Sequence, residues 1–151
     1  MLTWHTFEAA EPAIAAFAMQ RLAGRVAYLA TVRPDGGPRV HPVTPIIGAG
    51  HLFLFMEPTS PKGRDLQRDD RYALHCGVED NQGGAGEVVV HGRAEFVEAP
   101  DRRALAVASA SYQPHDHYIL FELFLDRVGV TIYERDGIRR QRWRAEDPPG
   151  V

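Results

Sequence analysis

Apolar residues recur along this chain with two different periods, and the switch between them lays out the fold. Over residues 7–23, Ile14, Phe17, Ala18 and Leu22 fall at helical spacing, with Pro12 suited to a first turn and Gly24 to a C-terminal stop. One amphipathic helix is expected there. From residue 25 the texture changes. RVAYLATV, PRVHPVTPII and HLFLFM are β-rich runs separated by PDGG and GAG, which predicts a three-stranded meander joined by tight turns. Pro42 and Pro45 remove ladder donors from the second run, so an edge or an irregularity is expected, with backbone left free for a ligand. The third run is apolar at every position from Leu52 to Met56, so both of its faces should be covered.

Residues 60–70 predict a short polar helix, and YALHCGV, 72–78, a return to strand. EDNQGGAGE is a loop, EVVVHGRAEFV a long strand and PDRRALAVASASY a second amphipathic helix. YILFELFLDRVGVTIY makes another long strand with a bend near Gly129, and the turn RDG leads to IRRQRWR. Hairpin-joined strands with interspersed helices argue for an α+β fold, a small antiparallel split barrel with flanking helices, rather than a doubly wound sheet. A single domain spans 1–151: the helix to about 23, the barrel over about 25–144 and a frayed tail at 145–151.

At 151 residues and 44 % hydrophobic composition the chain supports one real core. No apolar run approaches the roughly 20 residues that cross a bilayer, and MLTWHTFEAAEPA lacks the basic start and apolar centre of a signal peptide. A soluble, cytoplasmic protein is expected. Seventeen basic residues against 20 acidic ones give a net charge of -3, so no global attraction to nucleic acid or to an anionic membrane is predicted. Any anion site must be local. Cys76, the lone cysteine, has no internal disulfide partner and reads as a small core residue.

The place to look for such a site is FMEPTSPKGRDLQRDD, residues 55–70, where the covered strand gives way to polar chain. Ser60 suits an N-cap and Pro61 the first helical position, which puts Lys62 in the first turn, against the positive end of the helix dipole. A phosphate would remove the conflict by accepting bonds from the Thr59 and Ser60 hydroxyls, free backbone N–H groups and the ammonium. The alternative is a capped surface helix with a solvated lysine. Elsewhere, His115 and His117 lack a third ligand, so no metal is expected, although they are candidates for a cleft edge. His75 and His91 lie within strands and read as structural. Glu122, inside YILFELFL, needs a partner or an interface. Arg139, Arg140, Arg142 and Arg144 surround Trp143 in what is either a solvated basic edge or a part of a ligand site.

The ordered set LATVRPDGGPRVHPV followed by HLFLFMEPTSPKGRDLQRDDRYAL resembles the FMN-binding split barrel family of pyridoxamine 5′-phosphate oxidase and its relatives. The resemblance is best over residues 26–78 and, beyond them, holds only in order and length. It implies that His41, Pro42, Val43 and Thr44 lie along the isoalloxazine and ribityl chain, and that Phe55 and Met56 flank the cofactor. Ser60 and Lys62 would hold the FMN phosphate with Arg39 or Arg64 as helpers, and Trp143 would cover the flavin of a partner subunit in a homodimer. His41, a titratable group near the ring edge, is the candidate for acid–base chemistry. The chain departs from the oxidase at His41, where an arginine is usual, at Pro61, where a second basic residue is usual, and at Glu87, where a glutamine reaches the flavin. RWRAEDPPGV has no counterpart of the oxidase's arginine-containing substrate motif. The implied activity is an FMN-dependent oxidoreductase acting on a small organic substrate other than pyridoxamine phosphate. The alternatives are a deazaflavin (F420) reductase and a protein that binds flavin or haem without turnover.

Overall fold

The computed structural model describes residues 2–146; the rest of the tail, from 147, lies outside the described residues. The expected N-terminal helix is two: α1 (Trp4–Ala10) and α2 (Pro12–Leu22). The break falls at Glu11, whose φ of -138° and ψ of 69° are far from helical, because a following proline disfavours the helical region for the residue before it. Pro12 therefore starts a helix instead of riding inside one.

Eight strands follow. β1 (Ala27–Val32), β2 (Pro38–Val43), β3 (Ile46–Gly48) and β4 (His51–Met56) precede α3 (Pro61–Arg68); then come β5 (Arg71–Cys76), β6 (Glu87–Val97), α4 (Pro100–Ser109), β7 (Ile119–Glu134) and β8 (Gly137–Arg144). The predicted meander is wrong in its pairing. The run PRVHPVTPII splits at Thr44-Pro45 into β2, which pairs with β1, and β3, which pairs with β4. In the order β2-β1-β5-β6-β7-β4-β3 these two halves sit at opposite ends of the sheet, with β8 added alongside β7. Three residue steps, from Val43 to Ile46, reach at most about 11 Å, so the sheet must roll until its ends nearly meet. The result is an open, split barrel of α+β class, and the break the prolines foretold is its seam.

The covering of β4 follows its composition. Leu52, Leu54 and Met56 enter the main core with Leu29, Leu74 and Leu123, under α1 and α2. Phe53 and Phe55 point the other way, into a second cluster with Ile46, Leu120 and Ala106 of α4. Cys76 is buried and free, and its Sγ accepts the Val88 N–H at 3.2 Å. The bend expected near Gly129 is instead a register shift, where His91 faces Arg127 but Gly92 faces Leu125, leaving Asp126 unpaired. Gly92 is needed there: a Cβ would lie 1.8 Å from the Phe124 carbonyl oxygen. Gly129 itself runs through a regular ladder.

Candidate functional site

Ser60 caps α3 as its sequence suggested, accepting the Gly63 N–H at 3.3 Å, with Pro61 in the first turn. The helix is anchored from within. Asp65, 1 % exposed, accepts from Thr31 Oγ1 (2.8 Å), Arg39 Nε (2.7 Å) and Arg68 (3.2 Å), tying α3 to β1 and β2. Burial pushes its carboxyl up, but these bonds outweigh that effect and hold it below the usual carboxylate value. Lys62 is half-buried and forms no ion pair among the described residues; desolvation alone lowers its pKa. It is a cation whose solvation has been reduced without compensation.

This ammonium lines a cleft of about 390 Å³, within the roughly 300–1,000 Å³ of small-molecule sites. One wall is the end of β2 and the seam, Pro42, Val43 and Thr44; a second is the end of β4, Phe55 and Met56; Ser60 and Lys62 close one end. The structure thus gathers these predicted residues from three elements. It also adds three that the sequence reading did not single out: Glu57, Tyr112 and Tyr118. The tyrosines flank the loop SYQPHDHY between α4 and β7, some 50 residues beyond Lys62, and no local spacing ties that loop to α3. Burial, and then the neighbouring Tyr118, raise the pKa of Tyr112. Arg103 fixes the loop by donating to the carbonyls of Tyr118 (2.8 Å) and Asp116 (3.1 Å), with its guanidinium 5.0 Å from the Phe55 ring centre. At the cleft edge His117 Nε2 lies 3.0 Å from both oxygens of Glu57.

Other predicted residues are placed elsewhere. Arg39 is engaged by Asp65, while Thr59 and Arg64 are exposed and do not line the cleft. His41, opposite Leu29, is half-buried on the same side of β2 as Arg39 and is not part of the cleft wall. Trp143 packs on Phe7 of α1, ring centres 5.0 Å apart. Glu87 accepts from the Tyr133 hydroxyl at 3.2 Å. Glu122 has the partners it required: His51 Nδ1 at 3.0 Å and Arg102 at 3.3 Å. His75 is satisfied by the Cys76 carbonyl, whereas His91 opens onto a groove that also contains Arg127, Arg142 and Arg144.

A family model described as pyridoxamine 5′-phosphate oxidase matches residues 11–138. The chain belongs to this family of FMN-binding split barrels. Solved structures share the fold at low identity. A haem-binding protein from Mycobacterium smegmatis is 20 % identical with a TM-score of 0.65, over 83 % of this chain and 55 % of that one, so the chain spans little more than half its length. PhzG from Burkholderia lata, in complex with tetrahydrophenazine-1-carboxylic acid, is 14 % identical with a TM-score of 0.65, over 95 % and 88 % of the two chains. An F420 reductase is 18 % identical with a TM-score of 0.55, over 73 % and 94 %. No curated protein matches the chain. Among the described residues no helix is long and apolar enough to cross a membrane.

Proposed function

We propose that this family member is an FMN-dependent oxidoreductase of small organic substrates, acting as a homodimer. The observation that carries the reading is the cleft that joins an apolar wall, Val43, Phe55 and Met56, to an uncompensated ammonium, Lys62, at a capped helix start. A flat ring with a phosphate tail matches both ends: the ring is covered by apolar side chains, and the phosphate restores the electrostatics of Lys62. Ser60, Lys62 and the free Lys62 N–H would hold the phosphate, while Pro42, Val43 and Thr44 would run beside the ring and its chain. A bound flavin supplies the hydride or electron transfer, and the protein contributes orientation and exclusion of water. The direct test is to identify what copurifies, by absorbance and by mass spectrometry of the heat-released ligand. FMN supports the reading; a deazaflavin redirects it to an F420 reductase, for which the arginine groove offers charge to an acidic tail. A bound flavin or haem whose spectrum no nicotinamide, oxygen or organic substrate changes would make the protein a carrier.

The homodimer is supported by the outer face of the sheet. Pro42, Tyr28, His75, Val89, Gly129 and Arg142 follow one another in register across six strands. Near its cleft end this face exposes Val40 (62 %) and Tyr28 (47 %), large apolar groups that a monomer has no reason to present, and its other end is basic. A two-fold partner laid on the face would bring the arginine end of each copy toward the cleft of the other. Dissociation and FMN loss are therefore expected to be linked. Sedimentation at several concentrations with and without FMN checks this, and a monomer binding FMN at full affinity would exclude the arrangement.

The substrate is expected not to be pyridoxamine 5′-phosphate. A dianionic substrate needs its own basic cluster, since misplacement by about 1 Å can cost on the order of a hundredfold in rate. The family match ends at residue 138, before the arginines of β8. There Arg140, Arg142 and Arg144 share one face, Trp143 lies on the other, and Arg139 pairs with Glu134. FMN-loaded protein given pyridoxine or pyridoxamine 5′-phosphate in air should form no appreciable pyridoxal 5′-phosphate; turnover of about one per second, ordinary for an enzyme on its own substrate, would contradict this.

A further inference from the structure

The α3 side of the cleft is short of donors for a phosphate. Pro61 has no N–H, the Gly63 N–H is taken by Ser60 Oγ, and Arg39, bound to Asp65 through Nε, does not line the cleft. What remains is the Ser60 hydroxyl, the Lys62 ammonium and one backbone N–H, against three phosphate oxygens that each accept more than one bond. Two further residues that carry O–H donors, Tyr112 and Tyr118, line the same cleft.

We propose that Tyr112 and Tyr118 are phosphate-binding residues that complete the anion site from the loop between α4 and β7, with the Glu57–His117 pair holding that loop across the cleft. The proposal rests on reading the cleft as a flavin-phosphate site and assigns residues to it that the family resemblance does not. Phenols suit the place: each adds an O–H donor without a charge beside Lys62, and neither needs a partner of its own when the ligand is absent, since both are partly exposed. Both residues line the same cleft as Ser60 and Lys62, so they serve one region of it. Tyr118 also packs on the cluster around Phe53 and Phe55, which fixes its ring and leaves the hydroxyl as the adaptable part. The loop carrying both residues has two anchors. Arg103 binds its backbone near the β7 end, and His117 reaches Glu57, directly after β4, at 3.0 Å. That second anchor spans from the loop to the element that leads into Ser60 and Lys62. Losing it should let the tyrosines swing away without disturbing α3.

FMN and riboflavin differ only in the phosphate, so parallel titrations by flavin fluorescence isolate these contacts. Replacing both tyrosines by phenylalanine keeps the rings and removes the hydroxyls. The double variant is expected to bind FMN at least about 100-fold more weakly and riboflavin as the parent does, since each bond to a charged acceptor contributes roughly tenfold or more. Tyr118→Phe and Tyr112→Phe alone should each lose part of that preference. Glu57→Gln should release FMN several-fold faster in stopped flow, with riboflavin unaffected. Unchanged riboflavin binding and an unchanged melting temperature show that the variants are folded. A double variant that prefers FMN over riboflavin as strongly as the parent overturns the proposal and leaves the Lys62 site standing. A parent that does not distinguish the two flavins removes the phosphate site, and the proposal with it.

Discussion

Lys62→Ala is expected to weaken FMN binding by about 1.5–3 kcal/mol, roughly 10- to 150-fold, the worth of a charge-assisted hydrogen bond. The free protein holds this ammonium half-buried at the start of α3, where burial already disfavours the charged form and lowers its pKa. A phosphate reverses that balance by supplying the missing opposite charge. The sign of the pH dependence follows. FMN affinity should fall as pH rises through the Lys62 pKa, which lies below the usual lysine value, and Lys62→Arg should keep its affinity through the same range because a guanidinium stays protonated. Sulfate should compete with FMN in the parent and much less in Lys62→Ala. Ser60→Ala should cost less binding but about 1 kcal/mol of stability, because the same oxygen caps the helix. Equal FMN titrations for Lys62→Ala and parent would end the phosphate assignment.

Those side chains were legible because local chemistry determined them. Ser60-Pro61 is a helix start wherever it packs, and HLFLFM is apolar at every position, so a strand covered on both faces was the reading that wasted no side chain. What local pattern does not carry is which strand lies beside which. Three β-rich runs with tight turns look like a meander, yet Thr44 and Pro45 interrupt the second run and take the chain across the seam to β3, which pairs with β4. Position along β2 matters too: only its last residues, Pro42 and Val43, one from each face, reach the cleft beside the seam, while His41, one residue earlier, does not line it. The candidate acid–base group therefore sits away from the cleft wall, while its neighbour lines it. Tyr112 and Tyr118 were invisible for a third reason: they are brought to Lys62 by the packing of a loop over β4.

Asp65 joins these two levels, because it is a charge inside PKGRDLQR that sequence pattern assigns to a solvated face and the fold buries completely. Asp65→Ala is expected to destabilise the protein by about 3–5 kcal/mol, the cost of removing one member of a buried, hydrogen-bonded ion pair and leaving Arg39 and Thr31 without their acceptor. Asp65→Asn should retain part of the network, since its amide oxygen still accepts, but loses the charge. The pH dependence has a definite sign. The carboxyl is held below its unfolded value of about 3.9, so its contribution is fully present above that pH and is lost as pH falls through the lower folded value. Urea unfolding between pH 7 and 2.5 should therefore show a stability gap between parent and Asp65→Asn that is constant near neutrality and narrows below about pH 4. The same substitution should reach the ligand. With its tether to β1 and β2 weakened, α3 can shift Ser60 and Lys62 relative to Val43 and Thr44, so FMN affinity should fall more than riboflavin affinity in protein still folded at low temperature. A folded Asp65→Ala variant with parental stability, or one whose acid limb matches the parent's, would show that the buried carboxylate neither anchors the helix nor sets the geometry of the cleft.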